Sequence, residues 1–124
     1  MATTALFRTC PRTGLQFHRS AETLIKVNAV AAVVSLLVGG VLALLILLTR
    51  WQAVHLIDAE NFYMTLTVHG LDMLAFWIIF FEIAVLYFCS STLLRSRLAT
   101  PRMAWLGFAL MLIGAVTASR RRMK

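Results

Sequence analysis

The hydrophobic residues of this chain fall into three long blocks that are separated by short polar and charged segments. The first block, residues 27–49, contains no charged residue and lies between Lys26 and Arg50. About 20 apolar residues in a helix cross the hydrocarbon core of a bilayer, so this block predicts a transmembrane helix. Gly39 and Gly40, near its centre, predict a face that packs closely against another helix.

The second block predicts a long helix over residues 62–94, rich in aromatic side chains. In the connector before this helix, Asp58 and Glu60 suit a helix cap and first turn. Acidic side chains there accept hydrogen bonds from free backbone amides and complement the positive end of the helix dipole. The pattern therefore predicts a second transmembrane helix that begins close to these two residues.

The third block is shorter and begins at a proline. Thr100 followed by Pro101 predicts a helix start, because a proline at the first helical position loses no intrahelical hydrogen bond. The uncharged run ends at Ala118. The predicted helix, residues 101–118, is therefore a partial span, and a basic tail, residues 119–124, follows it directly.

The composition excludes a soluble globular domain and a disordered chain. Apolar residues make up 60% of the 124 residues and charged residues 14%. Soluble domains contain about 45–50% apolar and about 25% charged residues. The sequence predicts an all-α integral membrane protein with two to three transmembrane helices.

The charge of the chain is strongly positive, with 12 Lys and Arg against 5 Asp and Glu. These cations flank the apolar blocks and do not alternate with aromatic residues, so they indicate a membrane topology and not a nucleic-acid partner. Four lie in the N-terminal segment, residues 1–26, and three lie between the second and third blocks. The positive-inside rule then predicts a cytoplasmic N-terminus and a second helix that runs from outside to inside.

Three ionisable residues lie within the predicted second helix: His69, Asp72 and Glu82. A charged group inside a membrane span costs about 2.5–3.5 kcal/mol on insertion scales, so such groups usually face a protein interior or a cofactor. His69 lies roughly 10 Å below the outer end of the helix at about 1.5 Å per residue. A neutral imidazole is a common metal ligand, and Gly70 beside it suits a flat macrocycle close to the helix. The alternative is a histidine bonded to a nearby backbone carbonyl.

The two carboxyl groups have several possible roles. Asp72 follows His69 by three positions, so both side chains can face the same interior. Its carboxylate is a candidate acceptor for the second ring N–H of His69, or it is a neutral, hydrogen-bonded interior group. Glu82 lies deeper toward the cytoplasm, where it is a candidate for proton handling or for a hydrogen bond to another helix.

Several short motifs occur in an order that resembles a known family. They are residues 10–14 (CPRTG), 17–20 (FHRS), 49–54 (TRWQAV), 66–70 (LTVHG) and 76–81 (FWIIFF). Together they resemble the N-terminal part of subunit I of the haem-copper terminal oxidases, in the branch that includes the B-type enzymes. The resemblance covers about residues 8 to 117.

This resemblance implies a specific role for one residue. In the family the histidine of the second helix is an axial ligand of the low-spin haem, and this role falls on His69. The parent reaction is the reduction of dioxygen with electrons from cytochrome c or quinol, coupled to proton translocation. The implied partners are membrane lipids, subunit II and the remaining helices of a larger bundle in the inner membrane.

The chain also departs from the family. The copper ligands, the ligand of the high-spin haem and the second low-spin ligand lie on later helices of the family, so this chain alone does not catalyse the reaction. The basic tail after Thr117 indicates a truncated or frameshifted reading frame. Two alternatives remain: a fragment of a nitric oxide reductase core subunit, and a small membrane protein with an assembly or structural role and no cofactor.

The predicted topology is testable by cysteine labelling in a variant without Cys10 and Cys89. A cysteine placed at His55 should react in intact spheroplasts with a maleimide that does not cross membranes. A cysteine placed at Arg97 should react only after lysis, because the positive-inside rule puts that connector in the cytoplasm. The reverse labelling pattern would contradict the predicted orientation.

Overall fold

The computed structural model describes residues 7–122, with side chains for residues 7–120, as a two-stranded hairpin followed by helices. In chain order the elements are β1 (Phe7–Thr9), β2 (Gln16–His18), α1 (Arg19–Arg50), α2 (Ala59–Leu71), a π-helical turn (Asp72–Phe76), α3 (Trp77–Thr92) and α4 (Pro101–Arg122).

Three helical segments are long and apolar enough to cross a membrane: Arg19–Arg50, Ala59–Thr92 and Pro101–Arg120. The second consists of α2, the π-helical turn and α3 in one continuous run. These helices confirm the predicted all-α membrane fold of two to three spanning helices, because a helix satisfies all of its backbone hydrogen bonds internally, as the bilayer core requires.

The helix boundaries differ from the limits of the uncharged blocks. The first helix begins at Arg19, two turns before residue 27, because the His18 side chain caps it. The backbone N–H of Ser20 donates to His18 Nδ1 over 3.1 Å, which satisfies one free amide of the first turn. Lys26 donates to Glu22 over 2.6 Å, a pairing four residues apart that supports a helix. Charged residues limit the membrane span without ending the helix.

The other boundaries shift by a few residues. The second helical run covers Ala59–Thr92 and the third Pro101–Arg122, against predicted limits of 62–94 and 101–118. Asp58 is the N-cap of α2, but its carboxyl accepts from the Asn61 side-chain amide over 2.6 Å instead of from a backbone amide. That hydrogen bond holds the pKa of Asp58 below its usual value.

Residues 7–18 form a hairpin on the end of the bundle. Strands β1 and β2 pair in antiparallel register, with Phe7 opposite His18, and Gly14 adopts the positive φ of 69° that the connecting turn requires. The backbone N–H of His18 donates to Ser91 Oγ in α3 over 2.7 Å. Strands of three residues leave almost no periodic signal in a sequence, so the hydrophobic pattern did not predict this hairpin.

The main packing interface joins α1 to the second helical run. Its buried positions carry small residues, including Ala21, Ala32, Ala84 and Ser91. In lipid, where no hydrophobic effect drives helices together, small side chains allow backbones to approach and gain van der Waals contact. Helix α4, the third span, contacts the bundle through Phe108, whose ring lies 5.9 Å from that of Phe80.

The closest approach lies at Gly39, where α1 meets the π-helical turn. A Cβ atom at Gly39 would lie 2.5 Å from Met73 Sδ and 2.8 Å from Asp72 Oδ2. The same atom added to Gly40 would meet nothing within 4 Å in the described part of the chain. The predicted close-packing face is therefore confirmed at Gly39, and Gly40 is not part of it.

Replacing Gly39 by valine should destabilise the bundle, and replacing Gly40 by valine provides a matched control. The new side chain at position 39 must displace Met73 and Asp72, and overpacking of this kind costs about 1–3 kcal/mol. Thermal unfolding of the two variants in the same detergent measures the difference. Equal unfolding temperatures would show that α1 does not pack against the π-helical turn at Gly39.

Candidate functional site

His69 lies near the end of α2 and bonds across the helix interface to α1. Its Nδ1 lies 3.0 Å from the carbonyl oxygen of Gly39. A carbonyl oxygen only accepts hydrogen bonds, so Nδ1 carries the proton and donates it. In the neutral ring, Nε2 then keeps a lone pair, which is the requirement for a metal ligand. The side chain is half-buried.

The fold brings the His69 ring and the Gly39 carbonyl together, although the two residues are 30 positions apart in the sequence. Because Gly39 has no side chain, α1 lies close enough to the second helical run for its backbone carbonyl to reach the imidazole. A backbone carbonyl has a second lone pair, so it can accept from His69 in addition to its intrahelical partner. The imidazole is therefore held by a rigid backbone group.

The helix surface next to His69 is open at Gly70. A Cβ atom added to Gly70 would meet no atom of another element within 4 Å in the described part of the chain. The described residues contain no group of three or more His, Cys, Asp or Glu side chains that would enclose a metal ion. His69 is the residue here that would hold a haem iron, and a bound haem would supply one-electron transfer.

Asp72, predicted either to accept from His69 or to be a neutral interior group, lies at the Gly39 crossing. It begins the π-helical turn and is 5% exposed. Its Oδ2 is buried and has no hydrogen-bond partner in the part of the chain that the structure describes. The acceptor on His69 Nδ1 is the Gly39 carbonyl and not this carboxyl. Asp72 instead lines a cavity of about 370 Å³ together with Ser35 of α1.

Glu82 does not join the other two ionisable residues. It lies in α3, thirteen residues after His69, which is about 20 Å along the helix at about 1.5 Å per residue. Its side chain is exposed on the surface of the helix. The structure therefore brings Asp72 and His69 to the Gly39 crossing and leaves Glu82 apart from it.

The two other histidines lie outside the membrane-spanning blocks. His18 is buried at the start of α1, where its Nδ1 also lies 2.7 Å from Ser20 Oγ. His55 is exposed in the connector between α1 and α2. These are all three histidines of the chain, and His69 is the one inside a membrane-spanning block.

Gly39 is the site residue that reasoning from the sequence missed. The glycine pair indicated close packing, but nothing in the sequence indicated which backbone carbonyl faces His69. The signal available beforehand was the depth of each residue: Gly39 and His69 both lie inside predicted spans. Depth alone does not give the rotation of one helix against another, which decides the partner.

Comparison with protein families gives one result that agrees with this geometry. The family model described as Cytochrome C and Quinol oxidase polypeptide I matches residues 23–120. No curated protein and no solved structure matches the chain. The matched region contains the second and third of the membrane-spanning helices, all but the first four residues of α1, the Gly39 crossing and His69. Since the match covers most of its length, the chain belongs to the cytochrome c and quinol oxidase polypeptide I family.

Proposed function

We propose that this chain supplies one axial ligand, His69, to the low-spin haem of a respiratory haem-copper oxidase. The parent complex passes electrons from cytochrome c or quinol to dioxygen and couples this transfer to proton translocation. The observation that carries the proposal is the hydrogen bond between His69 Nδ1 and the Gly39 carbonyl. Family membership supports the wider assignment to the oxidase.

The hydrogen bond explains how His69 is prepared to bind iron. Histidines that ligate metals usually donate their other ring N–H to a carbonyl or carboxylate, which fixes the tautomer and the orientation of the ring. Gly39 provides such a carbonyl from the middle of α1. A backbone acceptor does not titrate, so the imidazole keeps the same tautomer without help from an ionisable side chain.

When bound, a haem at this position supplies one-electron transfer, while the protein supplies the ligand and a low-dielectric surrounding. The chain's own part is to hold His69 at a fixed depth and angle in the membrane. The second axial ligand, the copper site and the high-spin haem ligand belong to other helices of the core subunit. The B-type branch and a truncation after about residue 117 stay predictions.

The two carboxyl groups have separate proposed roles. Asp72 lies at the Gly39 crossing, where it is buried and lines a cavity together with Ser35. Its role is in packing between α1 and the π-helical turn and not in binding His69 directly. Proton handling by Glu82 stays a prediction that requires a neighbouring helix over its exposed side chain.

Replacing His69 by alanine in the oxidase subunit should abolish the low-spin haem band in the reduced-minus-oxidised spectrum. The substitution removes Nε2, so the haem loses one of its two axial bonds. His55→Ala is the matched control, because His55 lies in the exposed connector, and its spectrum should be unchanged. An unaltered low-spin band in the His69→Ala protein would overturn the proposed function.

Replacing Asp72 by asparagine should leave the low-spin haem in place, because the Gly39 carbonyl already accepts from His69 Nδ1. Loss of a direct partner of a ligating histidine typically lowers metal affinity about 10–100-fold. Haem content per subunit, measured after extraction, distinguishes these outcomes. A loss of that size in Asp72→Asn would show that the carboxyl, and not Gly39, orients His69.

A further inference from the structure

A set of hydrogen bonds around His18, which we call the His18 network, joins four parts of the chain. The backbone N–H of His18, the last residue of β2, donates to Ser91 Oγ of α3 over 2.7 Å. The ring Nδ1 accepts from the backbone N–H of Ser20 over 3.1 Å and lies 2.7 Å from Ser20 Oγ. The backbone N–H of Leu98, in the connector before α4, donates to the same Ser20 Oγ over 3.3 Å. The hairpin, α1, α3 and the connector therefore meet in this network.

The His18 network requires an Nδ1 atom that carries no proton. A backbone N–H only donates, so Nδ1 must present its lone pair to Ser20, and the proton of the neutral ring lies on Nε2. Ser20 Oγ accepts from Leu98 and has its own hydrogen left to donate to Nδ1. These contacts therefore specify one tautomer of the neutral imidazole.

A second proton on the ring reverses the role of Nδ1, because both nitrogens of an imidazolium are donors. The Ser20 hydroxyl can turn and accept from Nδ1, but the backbone N–H of Ser20 cannot. Two donors would then face each other, and the first turn of α1 would lose its cap. His18 is 7% exposed, so water cannot readily replace the lost partner.

The groups around His18 provide no acceptor for an imidazolium. The Phe7 ring of β1 lies edge-on to the imidazole, with ring centroids 5.2 Å apart. Glu22, the one carboxylate in the first turn of α1, already accepts from Arg8 and Lys26. No carboxylate bonds to His18 within the described residues. The other charged or titratable residues of the adjoining segments are Arg19 of α1, Cys89 of α3, and Arg95 and Arg97 of the connector.

We propose that the His18 network is a pH-sensitive switch that holds the hairpin against α3 and the connector. With a neutral imidazole the network is closed. When the ring gains its second proton, the Ser20 N–H loses its acceptor, the first turn of α1 opens, and the hairpin separates from Ser91 and Leu98. Histidine is the side chain whose ordinary change of charge falls between about pH 5 and pH 8. The proposal does not depend on haem binding by His69.

The full chain in detergent, with nitroxide labels on cysteines placed at Arg12 and Ala99, provides the test. Both positions are exposed, one in the hairpin turn and one in the connector, and Cys10 and Cys89 are replaced by serine. Double electron–electron resonance measures the distance between the labels. We expect one narrow distance distribution at about pH 8 and its replacement by a broader, longer one at about pH 5.

His18→Asn is the decisive variant. Asparagine is a favoured N-cap whose side-chain oxygen accepts from a backbone N–H but does not titrate, so the narrow distribution should persist at both pH values. His55→Ala removes the exposed histidine of the other connector and should respond to pH as the wild-type protein does. A pH response that survives in His18→Asn would overturn the proposal, and so would a wild-type protein whose distances do not change with pH.

A second measurement uses the wild-type fold directly. Nuclear magnetic resonance of the ring nitrogens shows which of them carries a proton, and the His18 signals are those missing from the His18→Asn spectrum. We expect Nδ1 without a proton at about pH 8, and protonation of Nδ1 over the same pH range in which the narrow distance distribution disappears. A protonated Nδ1 in the protein with the narrow distribution would show that His18 does not control the hairpin in this way.

Discussion

The close approach of α1 to the second helical run at Gly39 is the constraint on which the rest of the structure depends. A side chain at this position would collide with Met73 and Asp72 of the π-helical turn. The same approach brings the Gly39 carbonyl within 3.0 Å of His69 Nδ1. The absence of a Cβ atom at Gly39 therefore permits both the close packing of the helices and the hydrogen bond to His69. Helices in lipid gain stability mainly through van der Waals contact and interhelical hydrogen bonds.

Polar groups inside the bundle are arranged around this crossing and at the N-terminal end of α1. Asp72 is buried beside Gly39, and Asn28 is buried about three turns earlier in α1, with its side-chain amide donating to the Leu24 carbonyl over 2.8 Å. At the membrane surface, the hairpin and the cap of α1 join through His18, Ser20 and Ser91. The membrane region thus holds few polar contacts, and each one connects two helices or stabilises one helix against itself.

The hydrophobic pattern predicted most of the fold, and it did so because the bilayer restricts a spanning chain to helices. It failed where local signals are weak. Charged residues before residue 27 concealed two further turns of α1, and the three-residue strands gave no alternation to detect. In the candidate site, His69 stood out as an ionisable residue in an apolar block. The sequence did not identify Gly39 as its hydrogen-bond partner, because every residue has a backbone carbonyl.

The sequence by itself determined a helical membrane protein of two to three spanning helices and placed His69 as the one histidine inside a predicted span, since block length and residue type decide both. Only the tertiary structure decided that the Gly39 carbonyl, and not Asp72, accepts a hydrogen bond from His69 Nδ1, and that residues of α1 and α4 line common cavities. The reason is geometric: hydrophobicity sets the depth of each residue, but the rotation and separation of packed helices depend on which side chains meet.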